Sequence, residues 1–184
     1  MAILKKIDQY ILSDKDVFFI DSNIWIYILN ICSLDTIEQK KVEKYSNFID
    51  MLVSSNIKII ILSMEISEIY NRYIYELGRQ YKKFNKITDR NWFKKYYRCS
   101  TKFQEDKKFI VDNIKNNILP LVKLEKDDFD QLDIEKILTI KRKEYDFNDN
   151  YYMQLCEKRN YKILTHDKDF VKNYNDVKVE VYQL

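Results

Sequence analysis

Short, unbroken apolar runs separated by segments of helical length and periodicity limit the folds open to this chain more than any other feature. Val17-Phe18-Phe19-Ile20, Ile57 to Leu62 and Lys162-Ile163-Leu164 are strand-sized, and the apolar runs suit strands buried on both faces. Leu119-Pro120-Leu121-Val122 reads as a further strand, its proline tolerable at a sheet edge. Val177, Val179 and Val181 alternate with Lys178 and Glu180, the pattern of an edge strand. Between these runs, residues 34 to 55 carry Leu34, Ile37, Val42, Tyr45, Phe48, Ile49, Leu52 and Val53 at helical spacing. Ser63 is a good cap for a second helix with Ile66, Ile69, Tyr70, Tyr73, Ile74 and Leu77 on one side. Helices are also expected around Asp128 to Leu138 and from near Asp149. Asn56 stands where a helix needs a left-handed terminator. The expected fold is α/β, a three-layer α/β/α arrangement around a central five-stranded parallel sheet. Residues 1–184 form a single domain with an extra helical segment at about 80–118.

Two scarcities restrict the chemistry. Gly78 is the sole glycine, which rules out a glycine-rich phosphate loop or a dinucleotide fingerprint. His166 is the sole histidine, which rules out a zinc site of several histidines and leaves any Ser-His-Asp triad dependent on that one residue. Cys32, Cys99 and Cys156 are odd in number and lack paired metal-ligand spacing, so they read as reduced and mostly buried thiols. No apolar run nears the roughly 18 residues that span a bilayer, and the N-terminus is too charged for a secretion signal. The expectation is a soluble, cytoplasmic protein with no membrane partner.

What remains for catalysis is mainly carboxylates, and these fall at telling places. Ligands of open parallel sheets bind at the carboxyl ends of the strands. Asp21-Ser22-Asn23 follows the first apolar run, Glu68 lies one and a half helical turns beyond the second, and Thr165-His166-Asp167 follows Leu164. Asp149 opens the helix that feeds that last strand. Each alone has an ordinary reading as a cap, a solvated helix residue or a turn residue. Together they form a set of hard oxygen donors that would repel one another unless a cation neutralised them, which suits Mg²⁺ or Mn²⁺. Glu65, Asp146 and Asp169 are neighbouring acids, and Asp169 is a candidate for supporting the site.

At these residues the chain resembles the PIN-domain nucleases. VFFIDSNIWIYIL resembles the family's opening strand with its Asp, IIILSMEISEIYNRY its second strand and helix with Glu68 at the acidic position, and FNDNYYMQLCEKRNYKILTHDKDF its closing segment. The likeness covers roughly residues 15 to 184. It implies a PIN-like sheet in which the first of the five strands lies between the second and the fourth, a divalent-metal site, and hydrolysis of phosphodiester bonds, usually in RNA. It implies Asp21, Glu68, Asp149 and Asp167 as catalytic metal ligands, with Ser22, Asn23, Thr165 and Asp169 positioning substrate or ligands. Many members of this size are ribonuclease toxins of bacterial toxin–antitoxin pairs, so an antitoxin partner and a homodimer are further expectations. The bulky Asn150-Tyr151-Tyr152 departs from the small residues usual after the first Asp of the closing segment. His166, inside the motif, is expected to be solvent-exposed.

Arg79 to Lys115 holds twelve basic residues against four acids, leaving +8 against a whole-chain charge of +3. Aromatic residues interleave with them, as binding of single-stranded RNA by stacking and phosphate contact would require. Lys94, Lys95, Arg98, Trp92 and Tyr96 are the nucleic-acid-binding candidates. The alternative is a solvated helical pair whose aromatics pack inward. Two other functions stay open: a catalytically inactive RNA-binding or assembly module, and a small-molecule phosphatase with Asp21 as nucleophile, although that pattern wants an Asp where Asn23 stands.

Overall fold

The computed structural model describes residues 2–29, 36–138, 146–172, 174 and 176–184. In chain order it runs β1 (Ile3–Lys6), β2 (Val17–Ile20), α1 (Ser22–Ile28), α2 (Thr36–Ser54), β3 (Lys58–Ile61), α3 (Ser63–Phe84), α4 (Thr101–Asn113), β4 (Lys123–Leu124), α5 (Ile134–Ile137), α6 (Phe147–Arg159), β5 (Lys162–Leu164), α7 (Asp169–Lys172) and β6 (Glu180–Gln183). The sheet is six-stranded in the order β1-β6-β5-β2-β3-β4, and every pairing is parallel.

The apolar runs become central strands because both faces of each are covered. Phe18, Ile20, Ile59, Ile61 and Leu164 pack on one side with Trp25, Leu52, Ile69 and Tyr73 of α1, α2 and α3. Phe19, Ile60, Leu62, Ile163 and Val181 pack on the other with Tyr152, Leu155 and Cys156 of α6 and Phe170 of α7. This is the period-two alternation of strand side chains between two helical layers. β2 lies between β3 and β5, as expected.

Six strands replace the expected five. Ile3–Lys6 pairs outside β6, so the valine-rich terminal strand is not the edge. Its register also differs: the strand is Glu180–Gln183, although Val177, Val179 and Val181 do point inward. At the other edge, Leu119–Leu121 is a 3-10 turn and the strand is only Lys123–Leu124, consistent with Pro120 having no N–H to give a ladder. The region expected around Asp128 to Leu138 divides into a 3-10 turn, Phe129–Gln131, and the single α-helical turn of α5. The long segment expected from about residue 80 divides as well. α3 itself runs to Phe84, and two π-helical turns, Phe93–Tyr97 and Ile114–Ile118, flank α4.

Asn56 and Asn160 take left-handed conformations with φ of 55° and 54° at the ends of α2 and α6, as the sequence suggests. Gly78 is required for packing: a Cβ there would lie 2.8 Å from the Tyr97 ring. That ring is anchored because Tyr97 OH donates to buried Asp106 at 2.7 Å. α3 and the helical elaboration therefore approach most closely at the one position without a side chain, with Tyr73, Tyr75 and Tyr81 of α3 meeting Phe109, Trp92 and Tyr97 around it. Cys156 is buried, but Cys99 is exposed, contrary to the expectation of buried thiols. Cys32 and Leu34 lie outside the described residues. Among the described residues no helix is long and apolar enough to cross a membrane.

Candidate active site

The carboxyl ends of β2, β3 and β5 meet where the crossovers from the central strands diverge, and the acids gather there. Asp21 ends β2 and also caps α1, accepting from the Asn23 backbone N–H at 3.5 Å. The cap reading and the site reading are therefore both satisfied by one side chain. Asp21 is only 6% exposed. Thr165 Oγ1 and Asn23 Nδ2 each donate to its Oδ2 at 2.6 Å. Thr165 Oγ1 in turn accepts from the Asp167 N–H at 2.9 Å, which couples the loop after β5 to the loop after β2.

Glu68 reaches the same rim from the second turn of α3. Ser22 Oγ donates to its Oε1 at 2.8 Å. Arg72, one turn further along α3, lies 3.5 Å from Oε1, while Tyr152 OH and Asn148 Nδ2 stand 3.4 and 3.5 Å from Oε2. The bulky residues after Asp149 thus have uses. Tyr152 packs at a tilt against Phe19 with its hydroxyl toward Glu68, Tyr151 OH donates to the Asp127 carbonyl at 2.7 Å, and buried Asn150 donates to the Ile137 carbonyl at 2.9 Å.

Asp149 does not open its helix. Asp146 is the cap, accepting from the Asn148 N–H at 2.8 Å, and Asp149 sits in the first turn. Asp167 accepts from the Asp169 N–H at 2.8 Å, so Asp169 supports the site through its backbone. His166 is half-buried rather than exposed: its Nδ1 is 3.0 Å from Tyr45 OH, and its ring meets Tyr27 and Tyr45 edge-on.

Burial and mutual repulsion both shift these acids upward. Burial, followed by repulsion from Asp146, Asp21, Asp167 and Glu68, raises Asp149 to about 8. Burial raises Asp21 to about 6, against the hydrogen bond from Thr165 and with repulsion from Glu68. Glu65 is fully buried beneath them. It accepts from Trp25 Nε1 at 3.1 Å, its Oε2 has no hydrogen-bond partner among the described residues, and burial with repulsion from Asp21 holds its pKa well above the ordinary value. Converging acids in a poorly solvated site keep protons where positive charge is missing.

Among the described residues no group of three or more His, Cys, Asp or Glu side chains is already placed to hold a metal ion. The acids share a rim without forming a closed shell, as mutual repulsion favours. The donor chemistry, carboxylates supported by hydroxyls and an amide, fits a hard divalent cation and not zinc. Arg72, Tyr152 and Asn148 were not singled out from sequence. Arg72 had a legible signal, four residues after Glu68 on one helix face, but Tyr152 and Asn148 depend on tertiary contact.

The proposed nucleic-acid residues divide. Lys94 is exposed, as is Tyr96, over whose ring Lys95 lies while also pairing with Asp89 at 3.1 Å. The Arg98 guanidinium covers Phe93. Trp92 is 6% exposed and packs on Gly78, Tyr75 and Tyr97, so for this ring the inward-packing alternative holds.

No protein-family model matches the chain, and no curated protein does. Among solved structures it is similar to the crystal structure of VapBC2 from Rickettsia felis bound to a DNA fragment from their promoter. The TM-score is 0.51 and the sequence identity 17%, covering 91% of this chain and 98% of that one. At that identity the likeness is one of fold: an α/β chain with an all-parallel six-stranded sheet, consistent with a PIN-like arrangement.

Proposed function

We propose that this chain is a divalent-metal-dependent nuclease that hydrolyses phosphodiester bonds in RNA. The observation that carries the reading is that Asp21, Glu68, Asp149 and Asp167 come from four separate elements to one rim of the sheet, linked by Thr165 between Asp21 and Asp167 and by Ser22 at Glu68. Burial, with repulsion from Asp146 and then from Asp21, Asp167 and Glu68, raises Asp149 there to about 8. Asp21, Glu68, Asp149 and Asp167 would hold Mg²⁺ or Mn²⁺. Bound there, the cation would lower the pKa of a water and offset charge at a scissile phosphate.

The chain's own groups do the positioning. Thr165 and Asn23 fix Asp21, and Ser22 fixes Glu68. Arg72, beside Glu68 and half-exposed, offers a cation to a phosphate that approaches the rim. Asp169 orients Asp167 by its N–H. The fold neighbour is a toxin–antitoxin complex, which supports a PIN-like nuclease of that kind and an antitoxin protein as partner.

A second reading is an inactive PIN-like RNA-binding module, favoured by the lack of a ready-made coordination group among the described residues. End-labelled single-stranded RNA incubated with purified protein separates the two. The nuclease reading expects internal cleavage in Mg²⁺ or Mn²⁺ that EDTA stops. Stable RNA binding with no cleavage in either metal would replace it with the second reading.

A further inference from the structure

α3 is 22 residues long and begins at the carboxylate rim. Its core side buries Ile69, Tyr73, Ile74 and Gly78. The opposite side is a single stripe at three- and four-residue spacing: Glu68, Arg72, Tyr75, Arg79, Lys82 and Lys83. Glu68 at the rim pairs with Arg72, and Glu76, at the stripe's margin, pairs with Arg79 at 3.3 Å, so Lys82, Lys83 and the Tyr75 ring carry the stripe's far end. At about 1.5 Å rise per residue, Glu68 and Lys83 are about 22 Å apart along a straight rod, the reach of a few nucleotides of extended strand.

At its far end the stripe enters a groove of about 930 Å³, between α3 and the loop that follows it. Arg79, Lys82, Lys83 and Lys86 line the groove, with Glu76 as the acid among its lining residues, and Tyr75 and Trp92 form its aromatic wall. Tyr75 is 50% exposed and Lys82 lies over the Trp92 ring at 5.4 Å. Among the described residues neither Lys83 nor Lys86 has an ion-pair partner. Lys86 is also left-handed, with φ 52°, at a helix end where α2 and α6 each use asparagine. A lysine is a poor choice there for the backbone, yet it adds a cation to the mouth of the groove.

We propose that a single nucleic-acid strand lies along the exposed face of α3, from the carboxylate rim at Glu68 to this basic groove, and is held in the groove by its phosphates. The start of the track rests on the nuclease reading, but binding in the groove does not. Contacts of this kind position the strand without reading its sequence, and Tyr75 adds a ring on which a base can stack.

The test measures binding of labelled, unstructured single-stranded RNAs of about 4 and about 12 nucleotides, in EDTA so that no cleavage intervenes, across a salt series. Lys83→Glu/Lys86→Glu alters two exposed side chains and should leave the fold intact, which a melting curve verifies. The longer strand is expected to bind the native chain more tightly than the shorter one. The variant should lose that advantage, weaken about tenfold or more at about 0.1 M salt, and show a log–log salt slope shallower by about 1 to 2. In parallel, Lys86→Gly should raise the melting temperature while weakening binding, a combination that a purely structural lysine would not give. Equal affinity and equal salt slope in native chain and charge-reversed variant would overturn the proposal even if the native chain cleaves RNA. Cleavage absent in Mg²⁺ and Mn²⁺, with binding that follows the groove, would remove the nuclease reading and leave the groove assignment standing.

Discussion

Asp149→Asn is expected to reduce metal-dependent RNA cleavage by well over the 10- to 100-fold that loss of an outer-shell partner of a metal costs, and to stabilise the metal-free chain at about pH 8. The opposite signs have one cause. Asp149 is buried, and it is repelled first by Asp146 and then by Asp21, Asp167 and Glu68. Asparagine has the same shape without the charge, so it removes both a metal ligand and a source of repulsion. Cleavage rate and melting temperature, measured on the same preparation, check both. Lost cleavage with an unchanged or lowered melting temperature would mean that Asp149 is not held against its neighbours as described.

The second large effect is on stability as a function of pH. A carboxyl whose folded pKa is raised keeps its proton longer in the folded state than in the unfolded one. Its stabilising contribution is therefore full below the ordinary carboxylate range and is lost as pH rises through the folded value. For Asp21 that loss runs from the ordinary carboxylate range up to about 6 and for Asp149 up to about 8; Glu65 acts in the same direction. Two groups act the other way. Glu180, lowered to about 2 by its hydrogen bonds to Lys162 and Lys5 against the cost of burial, loses its contribution as pH falls from the ordinary carboxylate range towards about 2. His166, lowered by burial, opposes the trend only below its ordinary value near 6.5. From about pH 6.5 to 8 the acids act alone. One proton over that interval is worth on the order of 2 kcal/mol, a fall of roughly 4 to 8 °C in melting temperature for the metal-free chain. Excess Mg²⁺ should flatten the curve, because a bound cation replaces the protons. A melting temperature that is level or rises over this interval in EDTA would show that the acids are solvated apart.

Much of this was legible in the sequence because the relevant forces are local. Four-residue apolar runs such as Val17–Ile20 have one economical solution, a strand covered on both sides, and Asp21, Glu68 and Thr165-His166-Asp167 sit at fixed offsets from such runs. Asn56 and Asn160 ended helices for the reason their side chains suggest. What was illegible depended on partners far away in the chain. Ile3–Lys6 forms a strand because β6 offers it an open edge, and burial of Glu65 against Trp25 follows from how α1 meets α3. Trp92 and Tyr97 were ambiguous in a basic, aromatic segment until Gly78 supplied the gap that takes them in. The resemblance favours Asp149 over Asp146, but that Asp146 caps α6 while Asp149 sits in its first turn is visible only in the fold.

Whether these carboxylates bind a cation is decided by calorimetric titration of Mn²⁺ into metal-free protein at about pH 7 in buffers of different ionisation enthalpy. With Asp149 raised to about 8 and Asp21 to about 6, the cation must displace protons to bind. The expected result is saturable binding with release of about one proton or more per ion, abolished in Asp21→Asn/Asp149→Asn. No binding at millimolar Mn²⁺, or binding that the double variant retains unchanged, would contradict it.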